Sequence, residues 1–299
     1  MAVAPVALAL VVATTVWAQA PGTGQTPPPD TTEWSAVDRA LGRPGTLLPG
    51  DVHKYAFPRS DLHVRVGSVR VRPALALGGW VAFKGTGNKA MAMGDLVLLQ
   101  SEVTPVLTKL QQMGVSETAL HNHLLHESPR LMYLHIQASG DPVKVAEALH
   151  AALALTRTPP AKPAGGAPEA PFPLDTAGIA SILGRHGQIN GGVYQVSVPR
   201  AVPVRVEGME VPPSMGVATG INFQPTGRGK AAITGDFVLA PDEVNPVIQA
   251  LRAAGIGVTA LHSHMLTEEP RLSFMHFWAN DDALKLARGL RTALDRTAR

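Results

Sequence analysis

The chain has 299 residues, 45% of them hydrophobic, with 26 Lys and Arg against 23 Asp and Glu and an isoelectric point near 9.3. Such a composition is that of a globular protein with room for two ordinary domains, rather than a disordered chain. The excess of +3 comes with no Lys/Arg run interleaved with aromatics, so nucleic acid is excluded as an expected partner.

In chain order, residues 1–20, MAVAPVALALVVATTVWAQA, read as a signal peptide: an apolar run too short to span a bilayer comfortably, followed by small residues suited to cleavage. The expected product begins close to Gln19 or Pro21 and is periplasmic or secreted, with no stable membrane anchor once the signal is removed. No Lys or Arg precedes the run, so a retained N-terminal anchor stands as the alternative. The absence of cysteine rules out disulfides, thiolate ligands and a lipid-bearing cysteine. Segments 21–33 and 156–173, rich in Pro, Gly and Ala, read as linkers bounding a first unit at 34–155 and a second at 174–299.

The two units are copies. Gly94–Ala138 aligns without a gap on Gly235–Ala279, and about half the positions are identical, the mark of an internal duplication. LGRPG and FPR in the first unit return as LGRHG and VPR in the second. Within the second copy, GDFVLA predicts a strand and PDEVNPVIQALRAAG a helix, with Asp242 near its N-cap and Gly255 as its stop. GVTALHSHML and RLSFMHFWA predict an antiparallel hairpin around TEEP, and DDALKLARGLRTAL a closing amphipathic helix. In the first copy Asp141 before Pro142 has the favoured cap-then-Pro order. The fold class expected is α+β: two tandem ferredoxin-like units with extra strands, packed as a pseudo-two-fold pair.

Candidate metal ligands lie on the hairpins. His262 and His264 are i and i+2, which strand alternation puts on one face. A loop centred on Glu269 makes His276 oppose His262, completing a triangle; the same pattern recurs as His121, His123 and His135. Cross-strand Cβ separations of about 5 Å let three imidazoles converge on one ion at about 2 Å. The alternative is a polar hairpin with no ion, against which stands the return of all three positions at an offset of 141. Imidazoles without thiolates favour zinc as the divalent metal, with Cu²⁺, Fe²⁺ and Mn²⁺ admitted. Met265 and Met275, each adjacent to a histidine, are expected on the opposite, core-facing side of the sheet, with Leu272, Phe274 and Trp278 walling the imidazoles. Glu127 with Arg130, and Glu268 with Arg271, form either a solvated pair fixing the turn or a catalytic set, with Glu as base for metal-bound water and Arg holding an anionic group. Asp95 and Asp236, each after Gly, are either turn residues at a strand start or additional ligands, and His126, unmatched in the second copy, is a surface residue.

FPRSDL, PALALGGWVAF, MGDLVL, TALHNHLLHESPRLMYLHI and GDPVK together resemble the LppY/LpqO family of exported bacterial proteins, a domain of unknown function. The resemblance covers nearly the whole chain after the signal and implies export; the lipid-bearing cysteine of some members has no counterpart here. Two functions follow. One is an exported metal-dependent hydrolase acting on a small molecule; the other is a non-catalytic module that handles metal or recognises a cell-envelope ligand in a cleft lined by Trp80, Phe274 and Trp278.

Overall fold

The structure is a computed structural model that describes residues 1, 31–85, 89–161 and 171–298. The expected signal peptide beyond Met1, most of the first linker and the centre of the second lie outside the described residues. Among the described residues no helix is long and apolar enough to cross a membrane.

The first half runs α1 (Thr31–Leu41), β1 (Thr46–Leu48), β2 (Val52–Pro58), β3 (Gly78–Lys84), β4 (Ala90–Leu99), α2 (Val103–Gln112), β5 (Ser116–His121), β6 (Leu131–Gly140) and α3 (Pro142–Leu153). The second repeats it as α4 (Thr176–Leu183), β7 (Gln188–Asn190), β8 (Val193–Pro199), β9 (Ala218–Gly227), β10 (Lys230–Leu239), α5 (Val244–Ala253), β11 (Gly257–His262), β12 (Ser273–Asp282) and α6 (Ala283–Leu294). Each half is thus mixed α+β, with an antiparallel six-stranded sheet in the orders β1-β2-β3-β4-β6-β5 and β7-β8-β9-β10-β12-β11. The expected strand, helix, two strands, helix succession is present in both halves, preceded by helices α1 and α4 that hydrophobic pattern had not disclosed.

Asp242 is exposed and caps nothing; the buried Glu243 beside it accepts from the Ala240 amide at 2.7 Å, as Glu102 accepts from Leu99 at 2.8 Å in the first half. The same two carboxylates bind the arginines of the repeated FPR and VPR motifs, Arg59 to Glu102 and Arg200 to Glu243, each at 2.7 Å. Those arginines also donate to strand carbonyls, Val97 and Val238, so the motif ties the end of β2 or β8 to the helix start. The closing helix of the first half carries the expected cap, Asp141 accepting from Val143, and that of the second is capped likewise by Asp282, which accepts from Lys285.

Helices cover one face of each sheet, around Val81, Phe83, Leu134 and Ile136 in the first half and Phe223, Phe237, Met275 and Phe277 in the second. The opposite faces meet each other. Met91 and Met93 bury against Val238, Met265 and Phe274 of the second half, and Val97 and Tyr133 share a cluster with Val193 and Ala232. The contacts are reciprocal: Thr118 Oγ1 donates to the His264 carbonyl at 2.5 Å, and Thr259 Oγ1 to the His123 carbonyl at 2.6 Å. Met275 faces the helices as expected, but Met265 does not; it lies beyond the end of β11, where strand alternation no longer applies, and is buried between the halves.

Candidate metal centre

The histidines come from the edge where β5 and β11 end. β11 pairs with β12 so that Ala260 opposes His276 and His262 opposes Phe274. The expected partner of His276 was His262. The register is displaced by two residues, because the segment after β11 is not a tight turn: Glu268–Glu269 forms its own short strand against Val206 and Arg205. A two-residue displacement conserves the face, so His262 and His276 still share one. The first half behaves identically, with Ala119 opposite His135 and His121 opposite Tyr133. His123 and His264 stand past the strand ends, yet reach the same place.

That place is common to both halves. His121 stacks on His262 at 3.5 Å between ring centroids, His123 on His276 at 3.7 Å and His135 on His264 at 3.9 Å. Two separate triads were the natural reading of the sequence; the six imidazoles instead form one cluster across the interface. Tyr133 and Phe274 close it, stacked on His123 at 3.3 Å and His264 at 3.5 Å. Phe274 therefore walls the imidazoles as expected, while Leu272 is buried in the inter-half core and Trp278 packs against the other cluster between the halves.

Two carboxylates join them. Asp95 and Asp236 sit in the middle of β4 and β10, directly opposite His135 and His276, and are not turn residues at a strand start. Asp95 lies 3.7 Å from His123 Nε2 and 3.9 Å from His135 Nε2, and Asp236 lies 3.2 Å from His264 Nε2. Nothing local in the sequence puts an aspartate beside a histidine forty residues later; only the β4–β6 and β10–β12 pairings do.

All six Nε2 atoms, with Asp95 Oδ1 and Asp236 Oδ1, are buried without a hydrogen-bond partner. Buried polar atoms are nearly always paired, so eight unpaired ones converging on one spot need a common partner. Donor atoms fall within 4.8 Å of one another in four overlapping groups: Asp236, His262, His264 and His276; Asp95, His123 and His135; and two that mix the halves, His121, His135, His262 and His264, and His121, His123 and His276. These groups could hold a metal ion. His276 Nδ1 donates to the Gly235 carbonyl at 2.8 Å and His121 Nδ1 to the Asn122 carbonyl at 3.0 Å, which leaves each Nε2 lone pair facing the cluster.

Electrostatics agree with neutral, ligand-ready imidazoles. Burial holds His121 down to about 4 and keeps His123, His135, His262 and His264 well below the usual range, reinforced for the last four by the neighbouring rings. Burial also lowers His276, against the pull of Asp236. Asp236 is pushed up to about 6 by burial, and Asp95 rises further, by burial and by the Asp236 charge. A buried cation would reverse both carboxylate shifts.

Glu127, Arg130, Glu268 and Arg271 are not brought to the cluster's donor groups. Glu127 and Glu268 are buried and accept from the Leu131 and Leu272 amides across their own loops. Arg271 is exposed, bound to Glu268 and the Leu266 carbonyl, and Arg130 is exposed. His126 is an exposed residue with φ of 61°. A cavity of about 1020 Å³ opens onto the cluster, lined by Trp80, Lys54 and both aspartates; Phe274 and Trp278, expected in such a cleft, do not line it.

The profile of a domain of unknown function, DUF1259, matches residues 35–155 and again 177–296. The chain belongs to that family. Its two DUF1259 domains are the two halves of the fold, and the histidine cluster lies where they meet. No curated protein matches the chain. Among solved structures, the trimeric bacterial microcompartment shell protein PduB is 13% identical, with 82% of this chain and 86% of that one covered and a TM-score of 0.18. The ethanolamine utilization protein EutL from Leptotrichia buccalis C-1013-b is 11% identical, over 85% and 95%, with a TM-score of 0.19. EtuB from Clostridium kluyveri is 11% identical, over 84% and 90%, with a TM-score of 0.20. At such scores these likenesses carry no argument about this chain.

Proposed function

We propose that the protein is an exported metal-binding protein whose centre holds two divalent ions, one on each side of the interface between its DUF1259 domains. The observation that carries the reading is the convergence of six unpaired imidazole nitrogens and two unpaired carboxylate oxygens in one buried cluster. Eight donors are enough for two ions, with Asp236, His262, His264 and His276 in one group and Asp95, His123 and His135 in another. Nitrogen and oxygen donors without thiolate suit zinc. The apolar run in residues 1–20 supports export, as does the resemblance to the LppY/LpqO family; the strand order of each half supports a ferredoxin-like unit with added edge strands.

The test is elemental analysis of the purified protein. Two ions per chain are expected, falling below one in a His262→Ala, His264→Ala double variant that keeps its circular dichroism. A wild-type chain that takes up no metal sinks the reading.

The cavity at the cluster favours a hydrolytic activity on a small molecule over a sealed structural site. In that reading the proton acceptor is sought at Asp95 or Asp236 before Glu127 or Glu268, which lie outside the donor groups of the cluster. Arg130 and Arg271 would then hold the loops, leaving substrate to the cavity walls. Turnover of an ester or phosphoester panel that disappears on chelation supports this activity, and turnover that survives chelation opposes it.

A further inference from the structure

The two sides of the centre are not equivalent, although their ligands are. Trp80 opposes Asp95 on β3 and β4; at the matching position of the second half Gly220 opposes Asp236. The Trp80 indole reaches across the interface to Gly216, where an added Cβ would meet it at 2.9 Å. Lys54 lies over that indole at 4.0 Å and donates to the Ser214 carbonyl at 2.7 Å, locking it from the outer side. The residue matching Lys54 is Gln195, turned away to the Ala74 carbonyl. Nothing lies within 4 Å of a Cβ built on Gly220. Accordingly the Asp95 side chain is 9% exposed and that of Asp236 is 20% exposed. The large cavity touches both sides, lined by Gly220, Asp236, His264 and His276 and by Asp95, His123 and His135, with Trp80 in its wall on the Asp95 side.

Charge indicates what enters by that opening. Two divalent ions carry four positive charges and the two carboxylates offset two of them, since the imidazoles ligate as neutral groups. A surplus of positive charge in a buried site favours an anionic ligand. We propose that the ion beside Asp236 keeps an exchangeable position, reached past Gly220, which takes a small oxyanion such as a carboxylate or phosphate, while Trp80 narrows access to the ion beside Asp95. The proposal rests on the two-ion reading above and assigns its substrate class.

The test uses the full-length protein loaded with Co²⁺, whose visible absorption reports changes in coordination, titrated separately with acetate and inorganic phosphate. A saturable spectral change is expected with at least one of them, and the anion that acts at lower concentration identifies the ligand class. Gly220→Ala, one methyl in open space, keeps the response; Gly220→Leu weakens it by at least ~tenfold in half-maximal concentration with cobalt content unchanged. A cobalt-loaded wild type whose spectrum ignores both anions overturns the proposal and leaves the metal reading standing. So does an unaltered titration in Gly220→Leu; if that variant does not fold, Trp80→Gly decides, since opening the Asp95 side must add a second spectral step. Failure to bind cobalt at all removes both readings.

Discussion

His276 illustrates how much one residue decides. It belongs both to the Asp236 group and to a group with His121 and His123 of the other half. His276→Ala should therefore lower occupancy on both sides of the centre, to fewer than one ion per chain, where independent sites in each half would lose one ion only. Elemental analysis separates the two. Glu243 shows the same economy in stability. Burial pushes its carboxyl up, but hydrogen bonds from Arg200 and from the Ala298 and Ala240 amides prevail and hold it below the ordinary 4.5. A depressed carboxyl contributes stability that is complete above the unfolded value and is lost as pH falls through the folded one. Glu243→Gln leaves Arg200 buried without its counter-charge, at a cost of about 3 kcal/mol at neutral pH by denaturant titration. The variant should also lose less further stability than wild type below pH 4.5. Both the Arg and the Glu return at an offset of 141, so the pair was visible as a repeat; what it joined was not.

At the scale of the strand, the Gly-Asp pair that opens MGDLVL and TGDFVL is a mid-strand device. Gly235 stands where an added Cβ would meet the Gly220 carbonyl oxygen at 2.0 Å, and one on Gly94 would meet the Trp80 carbonyl oxygen at 2.8 Å. The glycine lets β9 and β3 lie close, and the aspartate after it then points to the histidine face. Gly235→Ala should cost about 3 kcal/mol, since the opposing atom is backbone and cannot swing aside. Thermal melting measures that loss, and a change below 0.5 kcal/mol, the scale of an ordinary surface substitution, would contradict the packing account. The hairpin teaches a related lesson about register. Face could be read from the spacing of His262 and His276 because parity survives any two-residue displacement, whereas the opposing partner depended on the short Glu268–Glu269 strand pairing with Val206, remote in sequence.

For the whole molecule, the two sheets use each other as the cover that their helices do not supply. Met93, Val238, Met265, Leu272 and Phe274 are all buried in the cluster between the halves. A fragment of residues 174–299 would expose its share of that surface to water at about 25 cal/mol per Å². It is expected to self-associate or precipitate, and sedimentation that finds a stable, soluble monomer would refute an obligate pairing.

From sequence alone the duplication, the mixed α+β content, the Asp141 cap and the two histidine triads as candidate ligands were all legible. Each of these is a local or periodic property: identity at constant spacing, a cap one residue before a helix, parity along a strand. What only the tertiary structure decided was that the two histidine sets are one cluster, that Asp95 and Asp236 join it, and that Trp80 stands opposite Asp95 where Gly220 stands opposite Asp236. Those facts depend on strand pairings between residues from 15 to 40 positions apart and on the docking of one half against the other. No residue's neighbours along the chain carry that information, because sheet pairing and interface contact are set by the burial of whole faces.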